Sequence, residues 1–162
     1  MIHVIIGNTG SGKTTYSSKL KEKNNGIIFS IDQWNKLLFL PDKQTTDGLD
    51  WFLERIDRSE SLIMNLIKQL ESSGVDAILD LGFSKKVHRD KFYAFAKANN
   101  YQFKTHFLDV VQDIRWQRVS QRNQEKGATY EFDVTKEDFD FMETWFERPS
   151  DEEIIDATVI KK

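Results

Sequence analysis

The chain contains no cysteine, which excludes disulfides, thiolate metal sites and a cysteine nucleophile. It also lacks a strong excess of either charge. Its 26 acidic and 23 basic residues give a formal net charge of -3, with a pI near 5.7. A general electrostatic affinity for nucleic acid is therefore not expected, although an average leaves a local basic groove open. Long apolar runs are missing too. Nothing approaches the ~18 consecutive apolar residues that a membrane span requires. The apolar start Met1-Ile2-His3-Val4-Ile5-Ile6 runs straight into glycine, without the basic head or long apolar stretch of a signal peptide. The expectation is a cytoplasmic protein with no membrane partner. What is present is a hydrophobic fraction of 39% and 12 phenylalanines in 162 residues, which is enough for one folded domain of ordinary size.

Strand and helix signals alternate along the chain, the signature of an α/β layered domain. His3 to Ile6 reads as a central parallel strand buried on both faces. Gly12 to about Asn24 reads as a helix stopped by Asn24-Asn25-Gly26, and Gly26 to Ser30 as a second strand. Asp32 to Leu40 reads as a short helix closed by Pro41, with a loop onward to Asp50. In the long helix that follows, Phe52, Leu53, Ile56, Ile63, Leu66, Ile67 and Leu70 fall on one face at three- and four-residue steps. A strand over 77–81 is next, then a helix from Lys85 to Ala98 with Phe92, Phe95 and Ala96 inward, and a strand from Tyr101 to Leu108. A helix from Asp113 to about Gln124, an irregular stretch over 127–135, a helix from Lys136 to Phe146 and a fifth strand over 157–160 complete the pattern. No repeat or linker interrupts it, so one domain spanning 1–162 is expected.

Gly7-Asn8-Thr9-Gly10-Ser11-Gly12-Lys13-Thr14 matches G-x-x-x-x-G-K-[ST] at every fixed position. Glycines let backbone wrap closely around a phosphate, so that successive N–H groups point at the anion. The helix that starts near Gly12 aims its positive end at the same place. Lys13 is placed to reach β- and γ-phosphates, the Thr14 hydroxyl is placed to ligate Mg²⁺, and Thr15 follows on the first helical turn. A chance glycine-serine loop is the plain alternative, and the preceding strand and following helix argue against it. A dinucleotide-binding fingerprint fits worse, because its glycines come as G-x-G-x-x-G. A guanine-reading Asn-Lys-x-Asp is missing: the only Asn-Lys pair, Asn35-Lys36, is followed by Leu37-Leu38.

Together with Phe29-Ser30-Ile31-Asp32, Leu79-Asp80-Leu81-Gly82-Phe83, Arg118-x-x-x-Arg122-Asn123 and Glu147-Arg148-Pro149, this loop resembles the small P-loop kinases. That group includes chloramphenicol phosphotransferase, zeta-toxin-like kinases and bacteriophage polynucleotide kinase, and the chain looks closest to bacterial AAA-family ATPases of predicted kinase type. The resemblance implies a three-layer α/β P-loop NTPase fold with a five-stranded parallel sheet in the order 2-3-1-4-5. It implies ATP and Mg²⁺ on the Gly7–Thr14 loop and a hydroxyl acceptor, with small molecules favoured over nucleic acid. Asp32 would activate or orient that hydroxyl, Arg118 and Arg122 would close over the phosphoryl group, and Asp80 would face the metal. A lid would span about 115–135, and the loop at Glu147-Arg148-Pro149-Ser150 would pack on the base. Each residue also has a plainer reading. Asp32 suits a helix N-cap; Asp80 suits a strand-end turn; Arg115, Arg118 and Arg122 share a helical face that solvent alone explains. Arg55 and Arg89 read as surface charge, and Trp34 as core or pocket wall. Lys85, Lys86, His88, Arg89 and Lys91 read as a solvated basic cluster, with no catalytic role for His88. A polynucleotide 5′-hydroxyl kinase, disfavoured by the acidic pI, and a nucleotide-driven ATPase switch with a protein partner are the rival functions.

Overall fold

The computed structural model describes residues 1–128 and 130–162. Five strands, Ile2–Ile6 (β1), Gly26–Ser30 (β2), Asp76–Asp80 (β3), Phe103–Asp109 (β4) and Thr158–Lys161 (β5), pair in parallel in the order β2-β3-β1-β4-β5. This is the expected order. All five residues of β1 are buried, since strands flank it and helices cover both faces.

Alternation sorts the core into layers. Ile2, Val4 and Ile6 point to one face, where they meet Ile63 and Ile67 of Leu49–Ser72 (α3) and Phe92 and Ala96 of Lys86–Ala98 (α4). Ile5 points the other way, with Tyr16 and Leu20 of Lys13–Lys23 (α1) packed against its cluster. Each fully buried Ile or Phe side chain stabilises by about 1.5–3 kcal/mol, so these facing rows dominate the adhesion of helices to sheet. The apolar stripe expected on α3 holds at Ile63 and Ile67, both fully buried, but not at Leu53, which is 42% exposed.

The region expected as one helix over 32–40 is broken into three pieces. A four-residue α-helix Ile31–Trp34 (α2) continues as a π-helical turn over Asn35–Phe39 and a 3₁₀ turn over Leu40–Asp42. Pro41 lies within that last turn instead of ending a helix, as a ring without an N–H is tolerated in a first turn. Gln112–Glu125 (α5) and Lys136–Trp145 (α6) fall where expected. Asp151–Ile154 (α7) was not anticipated; a Ser150–Glu153 capping box nucleates it. Among the described residues no helix is long and apolar enough to cross a membrane.

On the α1 side of the sheet runs a chain of polar groups, its two histidines buried and its ends half-buried. Asp76 accepts from His3 Nε2 at 3.1 Å, His3 Nδ1 meets His106 Nε2 at 3.0 Å, and His106 Nδ1 meets the Tyr16 hydroxyl at 2.9 Å. With both rings neutral, one tautomer each satisfies every step: Tyr16 donates to His106, His106 to His3, and His3 to Asp76. Burial, followed by the nearness of His3 and of the Lys104 charge, lowers the His106 pKa to about 4.

Candidate functional site

The chain leaves β1 at Ile6, turns through 7–12 and starts α1 at Lys13. Gly10 and Gly12 sit at φ +79 and +95, backbone that side chains rarely adopt. A Cβ on Gly10 would lie 2.5 Å from the Arg115 carbonyl oxygen, and one on Gly7 would lie 2.5 Å from Ser11 Oγ. The loop is thus packed from behind while its front stays open. Gly12 gives α1 no side-chain cap. Among the described residues nothing accepts from the Gly10, Gly12, Lys13 or Thr14 amides. These N–H groups and the helix end make an anion-binding concavity.

Two of the loop side chains turn inward. Asn8, 8% exposed, donates through Nδ2 to Glu143 Oε1 at 2.6 Å, while its Oδ1 accepts from the Thr9 amide at 2.8 Å. Ser11 is buried with its hydroxyl unpartnered among the described residues. Arg115 is the rivet. Its guanidinium forks onto Glu143 at 2.6 and 2.8 Å and also donates to the carbonyls of Thr9 (3.1 Å) and Val110 (2.9 Å). Neither reading of Arg115, lid or solvated face, holds: it is 5% exposed and ties the phosphate loop, α5 and α6 together.

The loop opens on a cleft of about 710 Å³. Gly7, Thr9, Gly10, Gly12, Lys13, Thr14 and Thr15 form its floor, Asp32 one wall, and Arg118 and Arg122 another. Arg118 Nη1 donates to the Ser11 carbonyl at 3.2 Å, and Arg122 Nε is buried without a partner among the described residues. Asp32 sits in α2, the second residue after Ser30, and it is Ser30 that caps this helix. The N-cap reading of Asp32 therefore fails. Asp32 is exposed to cleft water, yet the surrounding walls desolvate it and push its carboxyl up, with Lys13 and Arg122 opposing and Asp80 and Glu131 adding to the push. Because water still reaches it in the open cleft, this push is weaker than full burial would give.

Asp80 closes β3 behind Thr14, whose hydroxyl donates to Asp80 Oδ2 at 3.0 Å. It is 6% exposed. Burial raises its pKa, and Lys13 and the Thr14 hydroxyl only partly offset this. Among the described residues no cation forms an ion pair with it.

Among the other contributors, those of α6 carried no sequence signal. Gly82 and Ser84 after β3, Phe132, Asp133 and Val134 after α5, and Asp138, Phe141 and Met142 of α6 complete the cleft wall. Asn123 clamps the segment after α5, its amide exchanging two hydrogen bonds with the Val134 backbone at 2.8 and 3.2 Å. Thr129, within the expected lid, lies outside the described residues. The cluster around 85–91 is not free charge. Lys85 pairs with Glu147, Lys91 with Asp57 and Glu60, and His88 with Glu60. Arg89, read from sequence as surface charge, is 4% exposed, pairs with Glu153 at 2.6 Å and donates to the Phe83 and Glu147 carbonyls. Arg55 lies over the Trp51 ring at 3.7 Å. Its tie is likewise internal.

Against this geometry the family comparison is decisive: the model of the AAA domain family AAA_33 matches residues 2–149. The chain belongs to that family. No curated protein matches this AAA_33 chain in sequence. A putative kinase from Chloroflexus aurantiacus is similar to it in structure at a TM-score of 0.74, with 13% identity over 99% of this chain and 86% of that one. Chaetomium thermophilum Kti12, solved with ADP-AlF3, gives 0.67 at 15% identity over 100% and 88%. Mycobacterium tuberculosis APS kinase CysC, solved with AMPPNP and APS, gives 0.60 at 15% over 92% and 83%. At such identities the likeness is one of fold. The AAA_33 chain is thus a P-loop nucleotide-binding protein with the fold of the P-loop kinases and ATPases.

Proposed function

We propose that the protein is an ATP-dependent phosphotransferase that moves the γ-phosphoryl group of ATP to a hydroxyl of a small acceptor. The observation that carries this reading is Asp32: a carboxylate from the β2 side of the sheet lines the same cleft as Lys13, Arg118 and Arg122. A nucleotide-binding ATPase needs the phosphate loop. A carboxylate facing that loop can serve either water or an acceptor hydroxyl; what favours the hydroxyl is that Asp32 also lines a recess with Ser30, Glu131 and Phe132, a place for an acceptor that water alone does not need.

In this reading the triphosphate lies along Gly7–Thr15, with the loop amides on its oxygens and Lys13 across the β- and γ-phosphates. Mg²⁺ fits the donor set: a hydroxyl and a buried carboxylate without an ion-pair partner among the described residues, Thr14 and Asp80, sit 3.0 Å apart. Among the described residues no cluster of three His, Cys, Asp or Glu is arranged to hold a metal, in keeping with an ion held mainly by phosphates and water. When bound, the ion supplies charge neutralisation between phosphate oxygens. Asp32 orients the acceptor O–H and takes its proton as the oxygen bonds to the γ-phosphorus. The bond from that phosphorus to the bridging oxygen breaks, and its electron pair leaves with ADP. Arg118 and Arg122 stabilise the equatorial oxygens, and positioning does most of the work.

The test is Asp32→Asn. Nucleotide binding should persist while transfer falls by about 10²–10⁴, the usual worth of a general base. Unchanged transfer would reduce Asp32 to a wall residue. Phosphorylation of a nucleic-acid 5′-hydroxyl finds less support, since Lys85, Lys91 and Arg89 are each paired with carboxylates.

A further inference from the structure

Arg115, which follows β4, has a counterpart after β3. Buried Arg89 forks onto Glu153 at 2.6 and 3.2 Å and donates to the carbonyls of Phe83 at 3.1 Å and Glu147 at 3.0 Å. What it holds is the turn that leaves β3. Gly82 and Phe83 lie there at φ +84 and +48, and a bulky residue in that left-handed region is strained. The Phe83 ring is fully buried against His88 and Phe92, with centroids 4.6 and 5.3 Å away. The Ser84 carbonyl accepts from the Glu147 amide at 2.8 Å. The turn is thus held by its carbonyls and its ring. Its donors are unused. Among the described residues nothing accepts from the Gly82 or Ser84 amide or from the Ser84 hydroxyl, while the first amide of α4, that of Lys86, is taken by Glu147 at 2.7 Å. Gly82 and Ser84 line the cleft, and a Cβ on Gly82 would meet nothing within 4 Å. β3 stands between β2, which leads to Asp32, and β1, which leads to the phosphate loop. The turn therefore leaves the sheet between the two groups that an acceptor must reach.

We infer that residues 82–84 are a second ligand-binding loop, one that holds the acceptor: the Gly82 and Ser84 amides and the Ser84 hydroxyl donate to an acceptor oxygen other than the one phosphorylated. The acceptor is accordingly a small compound with at least two oxygen functions. One is the hydroxyl that meets Asp32; the other is a carbonyl, a carboxylate or a second hydroxyl, which accepts from the turn. The inference rests on the phosphotransferase reading. Attachment at two points fixes which hydroxyl faces the γ-phosphorus, and a rigid loop does this without being ordered anew at each binding event. Gly82 and Ser84 bind and orient, and take no part in the proton or phosphoryl step.

The experiment uses a small-molecule cell extract as the source of acceptor and ATP carrying heavy oxygen on the γ-phosphoryl group, with products read by mass spectrometry. Wild type and Ser84→Ala are compared over a dilution series of the extract. Their affinities for a non-hydrolysable ATP analogue with Mg²⁺ are measured by calorimetry. The labelled product should carry a further oxygen function beside its phosphate ester. Ser84→Ala should need about 2–10-fold more extract for half-maximal labelling, the worth of one hydrogen bond, with nucleotide affinity retained. An unchanged half-maximal point, or a labelled acceptor with a single oxygen function, overturns the inference and leaves the phosphotransferase reading standing. So does a matching loss of nucleotide affinity in Ser84→Ala, which would give the turn to ATP. If wild type delivers label only to inorganic phosphate, the phosphotransferase reading falls and the inference with it.

Discussion

Asp80→Asn should make the protein more stable and inactive at once. The carboxylate is buried at the end of β3 with no ion-pair partner among the described residues, and its pKa is raised by that burial. Asparagine keeps the shape and, through Oδ1, an acceptor for the Thr14 hydroxyl. Relieving a strained functional position commonly yields about 0.5–2 kcal/mol. For a chain of 162 residues, 1 kcal/mol moves Tm by about 2–4 °C. The pH trend follows from the direction of the shift. The folded state holds this proton more tightly than the unfolded chain, so ionisation costs stability only above the ordinary carboxyl pKa. The advantage of the mutant is therefore full at mildly alkaline pH and shrinks as pH falls through the raised value. Mg²⁺ with a non-hydrolysable ATP analogue reverses the ranking. A ligand at 100 times its Kd adds about 2.7 kcal/mol to the wild type, and the mutant, lacking a metal-facing oxygen, gains less. Thermal melts at two pH values, with and without the ligand, test all three statements. A lower Tm for the unliganded mutant, or equal gains from the ligand, would refute the reasoning.

Three further outcomes are expected. Gly10→Ala combines a φ of +79 with a Cβ 2.5 Å from the Arg115 carbonyl, so calorimetric titration should show nucleotide binding lost; wild-type affinity would mean the loop is not held from behind. Glu143→Ala leaves the Arg115 guanidinium buried and uncompensated, at a cost of about 3–5 kcal/mol in chemical denaturation, with Glu143→Gln milder. Lowering pH from 6.5 toward the His106 value of about 4 should progressively destabilise the fold, because the folded pKa lies below the unfolded one. At about 1.4 kcal/mol per unit the loss is a few kcal/mol, and His106→Gln should flatten it.

The phosphate loop was legible because its information is local: eight consecutive residues fix a turn, a helix start and a lysine. The strand order came from resemblance, since nothing in periodicity tells β3 to lie between β2 and β1. Asp32, Arg118 and Arg122 were singled out in the same way, and all three line the cleft. Glu143 was not. Its partners Arg115 and Asn8 lie 28 and 135 residues away, and an acid on an exposed-looking helix carries no mark of its destination. Arg89 was misread for the same reason, its carboxylate partner being 64 residues distant. The break at Asn35–Phe39 was hidden because a π-helical turn has nearly the composition of an α-helical one. α7 did carry a signal, Ser150 three residues before Glu153, but four residues are too few to show a period.

The scaffold behind the phosphate loop bears on how fast a nucleotide is captured. Arg115, Asn8 and Glu143 hold residues 7–12 in place through side chains that no nucleotide needs to touch. The entropy of ordering that loop is thus lost when the chain folds and is not charged again on each binding event. Association at such a preformed concavity is limited by diffusion and by the electrostatic pull of Lys13, Arg118 and Arg122, and not by a search of the loop for its shape.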